Sequence, residues 1–175
     1  MIRGDRILLR AVREADLEQL FNLMSDIGNR GPYYPLDILS EVEFKQRFHE
    51  NGLMTENNGK LLICIEERII GLIGFSQAGY FDGVEIGYIV FDSANRRQGY
   101  MTEALTCLVR HLFLSRKINR IQLMTQPENI PSKRVAEKCG FRYEGTLRGA
   151  IFDRGKNVDL EMYALVRAEI EGSCS

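Results

Sequence analysis

The feature that most constrains the fold is a change of hydrophobic period between residues 83 and 125. Val84-Glu85-Ile86-Gly87-Tyr88-Ile89-Val90-Phe91 reads as a strand. A polar loop, Asp92-Ser93-Ala94-Asn95, follows it, then Arg96-Arg97-Gln98-Gly99. Beyond Gly99 the apolar residues Met101, Leu105, Leu108, Val109, Leu112 and Phe113 recur at helical spacing, which predicts one amphipathic helix over Gly99 to Ser115. Arg120 to Thr125 returns to a strand pattern. A strand–helix–strand crossover is therefore built into the middle of the chain.

The flanks supply the rest of a sheet. Ile7 to Val12, Leu61 to Glu66, Ile69 to Ser76, Phe141 to Arg148 and Val158 to Val166 read as strands, the last two split by the turn Asp153-Arg154-Gly155-Lys156. Asp16 is placed to cap a helix carrying Leu17, Leu20, Phe21 and Met24 on one face. Ser40 with Glu43 forms a capping box before a helix with Phe44 and Phe48. Ser132 to Cys139 is a short helix that Gly140 can close. Gly28, Gly31, Pro32 and Pro35 predict a break without regular structure, holding Tyr33 and Tyr34. Asn57-Asn58-Gly59 marks a further loop. The expectation is an α+β fold of about seven strands, mostly antiparallel, and about four helices. At 175 residues, with no linker or repeat, this is one domain over 1–175 with its core at about 6–166.

Composition removes several function classes. The net charge of −1 and the lack of a basic face with interleaved aromatics argue against nucleic acid and anionic membrane surfaces. No run of about 18 apolar residues predicts a transmembrane helix. The start of the chain lacks a signal-peptide apolar stretch, which predicts a cytoplasmic protein. Cys64, Cys107, Cys139 and Cys174 are far apart, and His49 and His111 are the only histidines, so no metal cluster is expected. The first three cysteines read as small buried hydrophobes.

The junction at Arg96 to Met101 is where chemistry concentrates. A helix start presents unpaired amides and a partial positive charge. Gly99 lets the backbone approach a ligand closely, and Arg96 and Arg97 add charge. The junction reads either as a phosphate or pyrophosphate cradle or as an ordinary strand–helix turn with solvated arginines. No Gly-Lys-Ser/Thr is present, and Gly71 and Gly74 lie inside an apolar strand, so the nucleotide loops fail.

The same junction resembles the acyl-CoA-binding motif of the GCN5-related N-acetyltransferase (GNAT) superfamily, Gln/Arg-x-x-Gly-x-Gly/Ala. Arg96 and Gly99 fit its first two fixed positions, and Met101 replaces the last. Thr102-Glu103-Ala104 and the block from Asn129 to Phe141, with Glu144-Gly145-Thr146-Leu147-Arg148 after it, are similar to the RimJ/RimL-like ribosomal-protein N-acetyltransferase branch. The resemblance runs from about Arg6 to Ala164. It implies a sheet splayed at the CoA site, commonly by a bulge in the strand. It implies acetyl-CoA as donor, with pyrophosphate held by amides of the Arg96-Arg97-Gln98-Gly99-Tyr100-Met101-Thr102 loop. Pantetheine would lie along the backbone of Ile89, Val90 and Phe91, with Asn129 on its amides and Ser132 near the sulfur. The acceptor it implies is an amine, either a protein N-terminus or a small molecule, and a homodimer is implied by analogy.

Direct transfer needs a group to take a proton from the amine and a group to return one to the thiolate. Glu85 is the first candidate base, against the alternative of a solvated or paired strand-start acid; Asp159 and Glu161 are others. Relatives in the branch place a glutamate where Ile151 stands. The superfamily's usual tyrosine acid falls on Ala136, and Ser132 is its substitute or simply a helix-starting serine. Tyr33 and Tyr34 either wall the acceptor side or anchor their loop. Ala136 and Ile151 also keep open a second function, an acyl-CoA-binding module without catalysis.

Overall fold

Apolar residues of the inner strands bury the two faces of a single mixed sheet of eight strands. The computed structural model describes residues 1–79 and 81–171, with Cys174 outside them. Among these residues the strands are β1 (Ile2–Arg3), β2 (Leu8–Ala11), β3 (Asn58–Ile65), β4 (Arg68–Gln77), β5 (Gly83–Val90), β6 (Arg120–Thr125), β7 (Arg142–Asp153) and β8 (Lys156–Val166). The helices are α1 (Leu17–Ser25), α2 (Ile27–Arg30), α3 (Glu41–Asn51), α4 (Tyr100–Ser115), α5 (Ile130–Lys138) and α6 (Arg167–Glu171). The strand order is β1-β2-β3-β4-β5-β6-β8-β7, and only β5 and β6 pair in parallel.

The α+β class and the order of the main elements agree with the sequence reading, and the structure adds only short elements to it. Eight strands and six helices are seen among the described residues where seven and four were expected. The additions are β1, two residues long, and the one-turn helices α2 and α6. Elements this short hold too few residues for a period to register. The segment from Gly28 to Pro35 is correspondingly not all irregular. Asp26 accepts a hydrogen bond from the Gly28 amide and starts α2, which runs into the segment as far as Arg30. Likewise β3 begins at Asn58 and not at Leu61, because β4 extends to Gln77 and pairs Asn58 with Ser76.

Each face of the sheet has its own core. Leu105, Leu108 and Leu112 of α4 pack with Ile63, Ile73, Ile86, Ile121 and Leu123 on one face, all but excluded from water. On the other, Leu17, Leu20 and Met24 of α1 and Phe44 of α3 cover Leu62, Leu72, Ile89 and Phe91. The hairpin of β7 and β8 turns at Arg154 and Gly155, both at positive φ, and β7 forms a largely exposed edge.

Asp16 departs from its expected role. Its carboxylate does not cap α1. It takes two hydrogen bonds from the Arg10 guanidinium, at 2.6 and 2.7 Å, and one from the Arg13 amide at 2.8 Å. Both side chains of the pair are close to buried, 13% and 12% exposed. The bond from Arg10, opposed by burial, holds the Asp16 carboxyl below its ordinary 3.8. A lowered carboxyl stabilises the fold above the unfolded value and loses that effect as pH falls through the folded one. Asp16→Ala, which strands Arg10, should cost about 3 kcal/mol in urea unfolding at pH 7. The difference from wild type should shrink as pH is lowered below about 4.

Candidate active site

The site is created by a failure of pairing. β5 and β6 share three rungs, Gly83 with Arg120, Val84 with Ile121 and Glu85 with Gln122, and then part. Ile86 to Val90 therefore has a partner on the β4 side alone. The expected splay is present, but the bulge is not: β4 and β5 keep a one-to-one register from Gly71–Val90 to Gln77–Val84. The strands separate by divergence alone.

Glu85 stands on the last rung. Gln122, buried in β6, donates to its Oε2 at 2.9 Å and fixes the carboxylate at the apex of the gap. Alternation then assigns the next residues to opposite faces. Gly87, Ile89 and Phe91 share the α1/α3 face with Glu85, while Ile86, Tyr88 and Val90 face α4 and α5.

Tyr88 crosses to α5. Its hydroxyl lies 2.9 Å from Ser132 Oγ, either atom serving as donor. Burial, offset in part by the Ser132 bond, pushes the Tyr88 phenol up to about 12, so it stays protonated at neutral pH. Asn129 starts α5: its Oδ1 accepts from the Ser132 amide at 3.3 Å. Ser132 thus belongs to the first turn of the helix while its hydroxyl faces Tyr88. Ala136 is fully buried in the α4-side core. The sequence reading missed Tyr88, although its place in the β5 alternation was the available signal.

The loop before α4 is shaped by its backbone. Arg97 and Gly99 both take positive φ, 62° and 84°. Arg97, Gln98 and Gly99 are exposed, whereas Met101 is buried in the core and Tyr100 and Thr102 are half-buried. The amides of Tyr100, Met101 and Thr102 open α4 without helical acceptors, while Glu103 N bonds to Gly99 O. Glu103 accepts from the Arg6 and Ile7 amides and the Arg6 guanidinium, and Arg6 also reaches Gln98 O. Arg96 points the other way. Its guanidinium donates to Val90 O at 3.3 Å and Asn29 O at 2.7 Å, tying the end of β5 to α2. Only Arg97 of the arginine pair is left on the cradle surface.

On the α1/α3 face a cleft of about 480 Å³ opens over β3, β4 and β5, with Tyr34, Arg47, Lys60, Glu85 and Gly87 in its walls. Tyr88 and Ile89 also line it. Tyr33 is not in its lining; its hydroxyl donates to Glu128 O at 2.8 Å and tethers the loop to the start of α5. Arg30 fixes the same loop through Pro35 O and Asp37 O and lies over the Tyr34 ring. The other candidate acids are engaged elsewhere. Glu161 pairs with Lys133 and accepts from Tyr163, and Asp159 accepts from the Gly149 amide. Ile151 lies on the exposed edge strand. No group of three or more potential metal ligands exists among the described residues.

Residues 6–142 match the model of a family described as an acetyltransferase (GNAT) domain. An uncharacterized N-acetyltransferase of Bacillus subtilis, YnaD, is 29% identical over 96% of this chain and 98% of its own. The ribosomal-protein-serine acetyltransferase of Escherichia coli is 26% identical over 93% and 94%. Mycobacterium smegmatis RimJ, solved in complex with CoA-disulfide, superposes with a TM-score of 0.80 at 25% identity, covering 94% of this chain and 83% of that one.

Arg96 carries a consequence for local stability. Arg96→Ala should speed amide hydrogen exchange at the end of β5 and in α2 together. Loss of two charge-assisted hydrogen bonds should cost about 2 kcal/mol.

Proposed function

The chain belongs to the acetyltransferase (GNAT) family, and we propose that it moves an acetyl group from acetyl-CoA directly to a primary amine that enters over Glu85. The observation that carries this reading is the junction of the two halves at Tyr88. That residue lines the acceptor-side cleft and holds Ser132 on the donor side.

The donor half would be bound by backbone. The exposed amides of the Arg97–Thr102 turn and the positive end of α4 suit a pyrophosphate. Arg97 adds a cation there, and Arg96 acts by holding the loop to Val90 O. The edge of β5 that β6 leaves, up to Ile89 and Val90, suits the amides of pantetheine, with the Asn129 side-chain amide opposite; Phe91 is engaged elsewhere, its amide donating to Ile70 O and its carbonyl accepting from Asn95. RimJ with CoA-disulfide supports a CoA ligand for this fold. The thioester supplies an activated acetyl carbon and a thiolate leaving group.

The protein's own groups then have proton work to do. Glu85, held by Gln122, takes a proton from the ammonium, directly or through water. An α-amine near pKa ~8 asks less of that base than a lysine-type amine near ~10.4. The Tyr88–Ser132 pair returns a proton to the leaving sulfur. The phenol comes from β5 and not from the helix position held by Ala136, so the missing helix tyrosine no longer argues for a catalytically inert module.

The ribosomal-protein-serine acetyltransferase among the relatives supports a protein N-terminus as acceptor, with a small amine as the alternative. We also propose a single domain over 1–175, at work in the cytoplasm. Among the described residues no helix is long and apolar enough to span a membrane. A homodimer is favoured by the exposed Leu147, Ile151 and Phe152 of edge strand β7.

Mass spectrometry after incubation with acetyl-CoA and a panel of peptides and amines tests the activity; its expected result is an added acetyl on an amine. Glu85→Gln and Tyr88→Phe should each lower kcat about 100-fold without changing acetyl-CoA affinity. Gly99→Glu places a charged side chain in the cradle at positive φ and should abolish CoA binding in calorimetry while the protein stays folded. Unchanged CoA affinity in that variant would sink the pyrophosphate assignment.

A further inference from the structure

The acceptor cleft carries a charge pattern that acetyl transfer does not require. Lys60, Gly74 and Gly87 form one cross-strand row of the sheet, and Asn58, Ser76 and Glu85 form the next. All six line the cleft. Gly74 and Gly87 carry no side chains into the middle of the surface; a Cβ built at Gly87 would project into open space, whereas one at Gly74 would meet Gly59 O at 2.8 Å and the Lys60 stem at 3.6 Å. Lys60 and Glu85 thus stand at opposite corners of a glycine floor. Strand spacing and residue rise put their Cα atoms about 12 Å apart.

The two corners have opposite charge and are not paired with each other. Glu85 is bonded to Gln122. Lys60 makes no ion pair among the described residues, while Arg47, also in the cleft wall, is matched by Glu43 one turn earlier on α3. The uncompensated cation of the cleft is therefore Lys60, half-buried on the sheet face. Burial first, then the Arg47 guanidinium, pull its ammonium below the usual value, the condition of a cation that an incoming anion would stabilise.

We propose that the acceptor is an amine that also carries a carboxylate, its ammonium directed to Glu85 and its carboxylate to Lys60 across the glycine floor. This rests on Glu85 being the amine pole of the transfer reaction. Two sources share the chemistry: a free amino acid, and a peptide N-terminus with an acidic residue among its first positions. A polyamine fits poorly, because its second charge would meet Lys60.

The test is steady-state kinetics with acetyl-CoA and matched acceptors. These are free amino acids and their amides, peptides with Asp or Glu against Asn or Gln at the second position, and spermidine. Wild type should prefer one carboxylate class over its neutral isostere by about tenfold or more in kcat/KM, a charge-assisted contact's worth. Which class wins identifies the source. Lys60→Met should erase the preference by raising acceptor KM, with kcat and acetyl-CoA KM little changed, and Lys60→Arg should keep most of it. Gly87→Val, which adds bulk to open space in a strand, should raise acceptor KM for every amine and leave acetyl-CoA affinity intact. Equal use of charged and neutral acceptors, a preference for spermidine, or a carboxylate preference that survives Lys60→Met would overturn the assignment while leaving acetyl transfer standing. No turnover of any amine by a folded, CoA-binding protein would overturn the transfer reading and this one with it.

Discussion

Everything functional in this chain depends on how briefly β5 and β6 pair. Three parallel rungs join them to one sheet. Their parting then exposes the edge of β5 inside the molecule, where strand edges are normally paired or covered. A buried edge needs a partner for its amides and carbonyls. An extended ligand can supply one, and the pantetheine arm proposed here has amides of its own. The cost of the gap is contained by the helices on either side of the crossover, whose apolar faces keep both cores closed.

In the proposed transfer, alternation along β5 divides the labour. Glu85 and Gly87 face α1 and α3, and Tyr88 faces α5. A base and an acid that acted on one site from the same face would compete for space and for each other's proton. Placed three residues apart on opposite faces, they reach the gap from two sides. Gln122 and Ser132 then fix each one from the neighbouring element.

Much of this was legible in the sequence because it rests on local signals. The change from strand to helical period around Gly99 located the crossover, and the α4 start lies one residue from its expected place. Glu85 was singled out as a carboxylate on the strand before the loop, and Asn129 and Ser132 through the family resemblance; the structure puts the first on the last β5–β6 rung and the other two at the start of α5. What escaped depends on pairing between distant segments. Lys60 was not singled out, since it falls between the Asn57-Asn58-Gly59 loop signal and the Leu61 strand, and the pairing of Asn58 with Ser76 of β4 draws it into the sheet. Tyr88 was read as one more strand aromatic, since its partner lies 44 residues away on α5. Arg96 was read as part of the cradle, yet its guanidinium turns to a carbonyl on α2, 67 residues distant. Asp16 looked like a helix cap, and Arg10 captured it instead. Periodicity cannot report such contacts, because both partners are ordinary for their own elements.

The loop over the acceptor cleft is held in a particular way. Arg30 bonds to the carbonyls of Pro35 and Asp37, Arg154 to that of Pro32, and Tyr33 to that of Glu128. In every case the acceptor is main chain, which each amino acid supplies equally. The side chains at 32, 35, 37 and 128 are therefore interchangeable as far as anchoring is concerned. A wall built like this can be re-lettered, by drift or by design, to suit a new acceptor while its position over the glycine floor stays where it is.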